Sequence, residues 1–333
     1  MNLEFWSVLS IVLFLSLILN FLLINYSSKL KLMDIPNKRS MHKVEKSRAG
    51  GVAIFFSFLV GIFFLGVNVN AYIMAGFFLV FILGIYDDIF GYSSKVKFFW
   101  LSVAAIFLCL GGMYIESLGT FLGVDMILPT SLAMLFSIFA IVGFINAMNL
   151  IDGLDGLSSG VAIVMLGAYA YIGYKYADTF LLYTSATLIV SLLAFLFYNW
   201  YPSKLFMGDN GSLTLGFVIV VLSIHSVQMD YISAVSILLI TAVPILDTLI
   251  VMIRRIRRRK NPFNPDMTHV HHIILKQYYK DVSKTTKIII LLQIVFSSIG
   301  LGFKVRDDTI ILAMFILLFI LFYNLLTPKI VVD

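Results

Sequence analysis

The chain of 333 residues is 60% hydrophobic and only 13% charged, and its mean hydropathy is +0.99. So much apolar surface cannot be buried inside one water-soluble globule, which excludes a soluble protein and indicates a polytopic protein whose solvent is the lipid bilayer. The net charge of +6 is explained by basic loops that meet anionic lipid, so no nucleic-acid partner is predicted.

Apolar runs long enough to span a membrane as helices recur along the whole chain. We therefore predict an all-α fold of about eleven transmembrane helices in a single domain over residues 1–333. The first run is too long for a signal peptide and precedes its basic residues, so it is predicted to be the first span. The predicted spans cover residues 4–25, 49–66, 71–86, 97–115, 131–149, 158–174, 179–198, 211–228, 231–253, 285–302 and 308–326.

The loops between these spans concentrate their positive charge on one side of the membrane. Residues 26–48 and 254–284 hold most of the lysines and arginines, whereas the opposite side has little besides Lys175, Lys304 and Arg306. By the positive-inside rule the basic side is cytoplasmic, which places the amino terminus outside and the carboxyl terminus inside.

The third predicted span ends on the cytoplasmic side with two adjacent carboxylates, Asp87 and Asp88. Their mutual repulsion at a membrane boundary is costly unless a cation neutralises it, and oxygen ligands of this kind suit Mg²⁺. The solvated start of a loop would also explain an isolated pair. Lys95 and Lys97 follow, and each taken singly indicates topology or a contact with lipid headgroups.

Four polar residues recur at every third position where the fifth predicted span ends, namely Asn146, Asn149, Asp152 and Asp155. On a helix this spacing lines them along one slowly rotating face. Glycines beside the two carboxylates permit a tight turn and a close approach to a bulky anionic ligand. A capped helix with a glycine turn would explain one aspartate and one glycine but not the whole string.

The segment Phe-Met-Gly-Asp-Asn-Gly-Ser at residues 206–212 precedes the eighth predicted span. Its glycines and hydroxyl favour a phosphate-facing helix N-terminus with Asp209 available to a metal, although a plain helix cap explains the same residues. Asn199 lies where the seventh span reaches the same interface and is uninformative on its own.

Three histidines, His269, His271 and His272, follow a basic run in the longest cytoplasmic loop. Zinc is disfavoured, because no cysteine accompanies them and such tight spacing rarely supplies three ligands to one tetrahedral ion. Hydrogen bonding to phosphate or sugar and a merely solvated loop are the two remaining interpretations.

Other polar residues carry weaker signals. Arg39 and His42 lie in the first basic loop, where such residues usually report topology or contact lipid headgroups. Within the ninth predicted span, Asp247 places a carboxylate in hydrocarbon about two turns before Arg254 on the same helix face. Its predicted role is to order that arginine.

Together these motifs resemble the polyprenyl-phosphate N-acetylhexosamine-1-phosphate transferases of glycosyltransferase family 4. The likeness covers nearly the whole chain and rests on residues 34–51, 84–88 with Lys95 and Lys97, 149–156, 206–212 and 269–272. The chain departs from the family pattern at two places, and neither includes a candidate metal ligand. Gly91 stands where the family sometimes has a third aspartate, and Glu45 and Ser47 replace prolines common in the first loop.

The resemblance implies a cytoplasmic active-site cleft in a bacterial inner membrane, where a UDP-amino sugar, Mg²⁺ and undecaprenyl phosphate meet. Mn²⁺ is the alternative ion, and a homodimer is compatible with this family. By analogy, Asp209 with Asp87 or Asp88 binds the metal. Catalytic roles fall to Asp87, Asp88, Asp152 and Asp155. Substrate-binding roles fall to Lys95, Lys97, Asn149, Asn199, His269, His271, His272, Arg39 and His42.

The implied reaction transfers a sugar-1-phosphate to the lipid and releases UMP, as the first membrane step of an O-antigen, capsule, common antigen or teichoic acid. The His-x-His-His form resembles the branch that uses UDP-N-acetylglucosamine, with N-acetylfucosamine or N-acetylquinovosamine as alternatives. A secondary transporter is the alternative from another class, since intramembrane carboxylates also mark ion-coupled carriers. A structural membrane anchor is the third interpretation, and in it the aspartates are dispensable.

Overall fold

The computed structural model describes residues 3–36, 45–259, 269–302 and 308–325, which form a helical bundle with two short β-hairpins. The helices are α1 Leu3–Tyr26, α2 Gly50–Phe64, α3 Ala71–Phe90, α4 Ser94–Leu110, α5 Thr130–Leu150, α6 Leu157–Lys175, α7 Thr179–Asn199, α8 Gly208–Gln228, α9 Ala234–Ile240, α10 Ala242–Arg257, α11 Val270–Ile274, α12 Val282–Gly302 and α13 Thr309–Leu325. A π-helical turn, Leu275–Tyr279, continues α11.

Each predicted span coincides with one helix, or in one case with the pair α9 and α10. In the described residues, seven helices are long and apolar enough to cross a membrane, and α9 with α10 is an eighth candidate, bent by 87°. Helices α2 and α13 are apolar but shorter. A polytopic, mainly helical membrane protein is therefore confirmed, whereas the number of eleven crossings stays a prediction.

The expectation of an all-α fold omitted both hairpins. Strand β1 (Met33–Asp34) pairs antiparallel with β2 (Lys46–Ser47), and β3 (Ser117–Phe121) pairs antiparallel with β4 (Val124–Ile127). The turn of the second hairpin consists of two residues, Leu122 and Gly123, which both have positive φ. This left-handed geometry matches the twist of a two-residue hairpin, but a leucine in it gives little warning in the sequence.

Helix α8 lies at the centre of the bundle, where it packs against α2, α3, α5 and α6. Between its polar first turn and His225 its residues are apolar or small on all sides, as expected for a helix surrounded by protein. Because α8 is central, its first turn is carried into the middle of one end of the bundle. That first turn contains Asp209.

The break between α9 and α10 leaves backbone groups without helical partners, and Gln293 of α12 satisfies them. Its Oε1 accepts from the Val243 amide at 3.1 Å, and its Nε2 donates to the Ile240 carbonyl at 2.7 Å. Ser297 also donates to Ile240. Unsatisfied backbone groups are costly in a lipid environment, so this fully buried glutamine makes the bent span tolerable.

Replacing Gln293 with Leu is therefore expected to destabilise the protein by about 1–3 kcal/mol, the cost of leaving the Val243 amide unsatisfied. Thermal unfolding of the purified protein in detergent measures the effect. Ser298→Ala is the matched control, since this exposed hydroxyl on the same helix donates to the Ile294 carbonyl of its own helix. Equal melting temperatures for Gln293→Leu and the wild type would contradict the assignment.

A polar network secures the end of the bundle where α6 and α8 finish and α7 begins. Asp178 accepts hydrogen bonds from the Leu181 amide at 2.9 Å, His225 at 2.8 Å and Tyr231 at 3.2 Å. Burial alone would raise the pKa of Asp178, but the bonds from Leu181 and His225 outweigh it and hold the pKa below its usual range. His225, which the sequence left without a role, thus has a structural one.

Candidate active site

The end of the bundle opposite the Asp178 network contains the carboxyl ends of α3, α5 and α7 and the amino ends of α2, α4, α6 and α8. Hydrogen bonds join these ends, as in the contacts of Asp209 with α3, α4 and α5 and the contact of Asn199 with the start of α6. Carboxyl and amino ends alternate in chain order at this end of the bundle. This alternation is the one predicted for successive helices that cross the membrane in opposite directions. Most of the described predicted site residues lie at this end.

Glycines allow the first turn of α8 to enter between α2 and α3. A Cβ on Gly84 would lie 2.3 Å from the Asn210 Cα, and a Cβ on Gly51 would lie 2.2 Å from the Gly211 amide nitrogen. The Gly51 amide also donates to the Met207 carbonyl at 2.9 Å. Backbone therefore packs directly on backbone at both positions, which fixes where Asp209 stands.

Asp88 caps this first turn of α8. Its carboxylate accepts from the amides of Asp209 and Asn210 at 2.9 and 3.0 Å, and from the Asn210 side chain at 2.6 Å. A negative charge at a helix N-terminus satisfies the unpaired amides and opposes the helix dipole. Asp88 of α3 thus orients Asp209 of α8. The metal-binding and catalytic roles of Asp88 stay predictions. Asn210, to which the sequence analysis assigned no individual role, completes the cap.

Asp87, Lys97 and Asp209 form the charged centre of the site. The Lys97 ammonium forms ion pairs with Asp87 and, at 2.6 Å, with Asp209. The Tyr92 amide donates to the other oxygen of Asp87 at 2.6 Å, which fixes that buried carboxylate. Two carboxylates from different helices therefore converge on one cation, although their positions lie 122 residues apart in the chain.

Asn149 holds Asp209 from the other side. Its side-chain amide donates to Asp209 Oδ1 at 2.8 Å and to the Ser212 hydroxyl at 2.9 Å. Ser212 supplies the hydroxyl that the sequence favoured for a phosphate-facing helix N-terminus, and it lies three positions after Asp209 and so on the same helix face. Asn149 is therefore placed to position Asp209, and the substrate contact predicted for it is untested.

The donor set of this centre fits Mg²⁺. In the described residues, no group of three or more His, Cys, Asp or Glu side chains is arranged to hold an ion. Magnesium does not require such a cage, because it usually binds one or two carboxylates, several waters and the phosphates of a substrate. The oxygens of Asp87 and Asp209, which already share one cation, would supply the protein's part.

The turn between α5 and α6 brings Asp152 and Gly153 to the same place. Burial, followed by the nearby carboxylates of Asp209 and Asp88, raises the pKa of Asp152 to about 7. A Cβ on Gly153 would lie 2.3 Å from His271 Nε2, so the imidazole packs directly on this glycine. The histidine motif, residues 269–272, is thus adjacent to the Asp152 turn.

The three histidines lie side by side. The ring centroids of His269 and His271 are 5.7 Å apart at an interplanar angle of 15°, and those of His271 and His272 are 4.2 Å apart. Burial, together with the positive charge that His272 and His269 can carry, lowers the pKa of His271 well below its usual range. His271 is therefore neutral at neutral pH, and both of its ring nitrogens are buried without a hydrogen-bond partner among the described residues.

Asp155 and Asn199 hold loops in this structure. Asp155 accepts from the amide and the hydroxyl of Ser203 at 2.9 and 2.8 Å. Asn199 accepts from the Gly156 amide at 2.9 Å and donates to the Leu205 carbonyl at 2.8 Å. Both contacts tie the turn after α5 to the loop before α8. The catalytic role of Asp155 and the substrate contact of Asn199 stay predictions.

The remaining predicted residues are spread more widely. Lys95 is exposed at the start of α4. Arg39 and His42 lie outside the described residues. The prediction that Asp247 orders Arg254 stays a prediction, and the structure shows two partners of Asp247 at the start of α11. Its two oxygens face the His269 ring and the Val270 amide.

Comparison with known proteins matches residues 70–227 to the family model described as "Glycosyl transferase family 4". The "Probable undecaprenyl-phosphate N-acetylglucosaminyl 1-phosphate transferase" of Bacillus subtilis (strain 168) is 32% identical over 300 residues, which cover 89% of this chain and 83% of that protein. The "Undecaprenyl-phosphate alpha-N-acetylglucosaminyl 1-phosphate transferase" of Haemophilus influenzae is 32% identical over 88% of this chain and 86% of its own length. The protein of that name from Escherichia coli (strain K12) is 29% identical over 94% and 88%.

Proposed function

The chain belongs to glycosyl transferase family 4, and from this premise we propose that it transfers a sugar-1-phosphate from a UDP-sugar to undecaprenyl phosphate. The names of its relatives support the lipid acceptor and favour N-acetylglucosamine as the sugar. The observation that carries the proposal is the convergence of Asp87 and Asp209 on one cation at the bundle end where the other polar motifs meet.

In this reaction an oxygen of the lipid phosphate attacks the sugar-bearing phosphorus of the donor. The bond from that phosphorus to the bridging oxygen breaks, and UMP leaves with that oxygen. A phosphate monoester has a second pKa of about 6, so the nucleophile arrives mostly as a dianion and needs no strong base. Bringing two anions together, rather than proton transfer, is therefore the main barrier.

The residues of the site are placed to reduce the repulsion between the two anions. A bound Mg²⁺ would supply positive charge to the phosphates of the donor. Asp87 and Asp209 would hold the ion, Asn149 fixes the orientation of Asp209, and Lys97 supplies a positive charge where the anions meet. Attack by an aspartate to form a covalent intermediate is the second route, with Asp152 and Asp155 as its candidates. Retention of configuration at the transferred phosphorus would exclude a single direct displacement.

The decisive experiment incubates the purified protein with undecaprenyl phosphate, Mg²⁺ and a panel of UDP-amino sugars, and measures UMP together with the lipid product. We expect UDP-N-acetylglucosamine to be the best donor. If no sugar yields UMP above the level of an Asp87→Asn control, the proposal is wrong. Uptake of a labelled solute into vesicles without UMP release would instead favour a transporter.

We also propose that the site faces the cytoplasm of a bacterial inner membrane, with the amino terminus outside. Basic loops support this orientation. In a Cys109→Ala background, Lys95→Cys and Asp125→Cys place single thiols at exposed positions at opposite ends of the bundle. An impermeant maleimide added to intact spheroplasts is expected to label Asp125→Cys only. Labelling of Lys95→Cys alone would reverse the topology.

Binding of Mg²⁺ is expected to weaken as the pH falls through about 7, the raised pKa of Asp152. Below that pH Asp152 is protonated and neutral, and the incoming cation favours its ionised form, so binding must expel a proton. Titration calorimetry in two buffers of different ionisation enthalpy measures the proton release. The release should decrease in Asp152→Asn without disappearing, because burial raises the pKa of Asp87 to about 7 as well. An affinity for Mg²⁺ that does not change between about pH 6 and 8 would contradict this expectation.

A further inference from the structure

Asp247 is a buried carboxylate in the bent span, and both of its oxygens have partners in the histidine motif. Oδ2 lies 2.7 Å from His269 Nδ1, and Oδ1 accepts from the Val270 amide at 2.6 Å. Asp247 is 1% exposed and His269 is 5% exposed. A buried charge of this kind is expensive in a membrane protein, so its retention calls for a specific task.

The contact fixes which nitrogen of His269 carries a proton. An ionised carboxylate can only accept, so Nδ1 must be the donor, and any other hydrogen bond of this ring runs through Nε2. The carboxylate also balances the positive charge that develops when Nε2 is protonated. The Val270 amide, bound to the second oxygen, prevents the carboxylate from turning away.

The His269 ring is in turn connected to the Asp152 turn. It stacks on His271, whose Nε2 lies against the Cα of Gly153. His271 is neutral at neutral pH, so a positive charge on His269 meets no second charge on the ring beside it. A carboxylate and imidazole pair thus lies beside the site.

We propose that Asp247 is a positioning residue of the transfer reaction: its carboxylate accepts Nδ1–H of His269 and balances the charge of the imidazolium, whose second N–H, on Nε2, donates to the diphosphate of the donor. This inference rests on the proposed function. Asp247 acts only through His269 and touches no reacting atom.

Asp247→Asn is the informative change. The amide oxygen can still accept from Val270, which preserves the start of α11, but the amide nitrogen now faces His269 Nδ1. The ring is then held neutral with its one proton on Nε2, and it no longer brings a positive charge to the diphosphate. We expect kcat to fall roughly 10- to 100-fold, the range found for outer partners of metal-bound histidines. The KM for the donor should change less than about threefold, because the lost charge stabilises the transition state more than the bound donor.

A double-mutant cycle tests whether Asp247 acts through His269. Asp247→Asn in a His269→Gln background is expected to cause no further loss, whereas an additive loss would overturn the proposal. Thr248→Val is the matched control, since it is a nearly isosteric change at the next residue of α10 outside the pair, and its kcat should equal that of the wild type.

Nitrogen-15 spectra of histidine-labelled protein give a readout that does not depend on turnover. His269→Gln assigns the signal, which should report a protonated Nδ1 in the wild type and a neutral ring protonated only at Nε2 in Asp247→Asn. A wild-type ring protonated only at Nε2 would overturn the proposal even if the Asn variant failed to fold. Absence of UMP formation by the wild type would instead refute the proposed function, and the spectra would still decide the pairing.

Discussion

Asp209→Asn is expected to reduce turnover by about two to three orders of magnitude, on the order of 3–4 kcal/mol of transition-state stabilisation. The change keeps the shape of the side chain but removes the charge that faces Lys97 and would hold the metal. It also replaces an oxygen with a nitrogen that cannot accept the bond from Asn149 or Lys97. The rate of UMP release under saturating substrates measures the loss.

The matched control is Asp125→Asn, which makes the same chemical change in an exposed carboxylate of β4 whose partner is the Thr120 hydroxyl. Its activity should equal that of the wild type. A functional metal site also predicts that Asp209→Asn lowers the apparent affinity for Mg²⁺. Wild-type turnover by Asp209→Asn would remove Asp209 from the site.

Gly84→Ala is expected to prevent stable assembly of the bundle. The added Cβ would lie 2.3 Å from the Asn210 Cα and 2.6 Å from its amide nitrogen, and neither backbone atom can move without displacing α8. Overpacking a core costs about 1–3 kcal/mol where side chains can adjust, and this contact is with backbone, so we expect the cost to exceed that range. Yield and melting temperature in detergent measure it.

Gly143→Ala is the control for helix propensity. Gly143 lies inside α5, and a Cβ there would meet nothing within 4 Å. Removal of a mid-helix glycine should leave stability unchanged or raise it by up to about 1 kcal/mol. If both variants melt at the wild-type temperature, close packing of α3 on α8 does not hold the site together.

Much of the bundle could be predicted from the sequence, because the length of an apolar run is fixed by the thickness of the bilayer. The same alternation of sides predicted that Asp87, Asn149 and Asp209 would meet, and the structure brings them together. The family resemblance is confirmed by relatives that match most of the chain.

The division of labour within the motifs could not be predicted. Adjacent aspartates look alike in a sequence, but on a helix their side chains point about 100° apart, so Asp87 faces Lys97 while Asp88 caps α8. The pairing of Asp247 with His269 joins positions 22 residues apart that no local pattern connects. The 87° bend between α9 and α10 is not visible in the run of apolar residues, and Gln293, which stabilises it, lies in another span.

The site is built from the ends of many helices, so ligand binding there is coupled to the stability of the whole fold. A molecule that binds there only in the folded state stabilises the whole bundle by mass action, about 2.7 kcal/mol at a concentration one hundred times its dissociation constant. Melting curves recorded with different nucleotide sugars would therefore rank candidate donors by occupancy, before any acceptor lipid is supplied. The melting temperature of the bundle would thus report ligand binding without an activity assay.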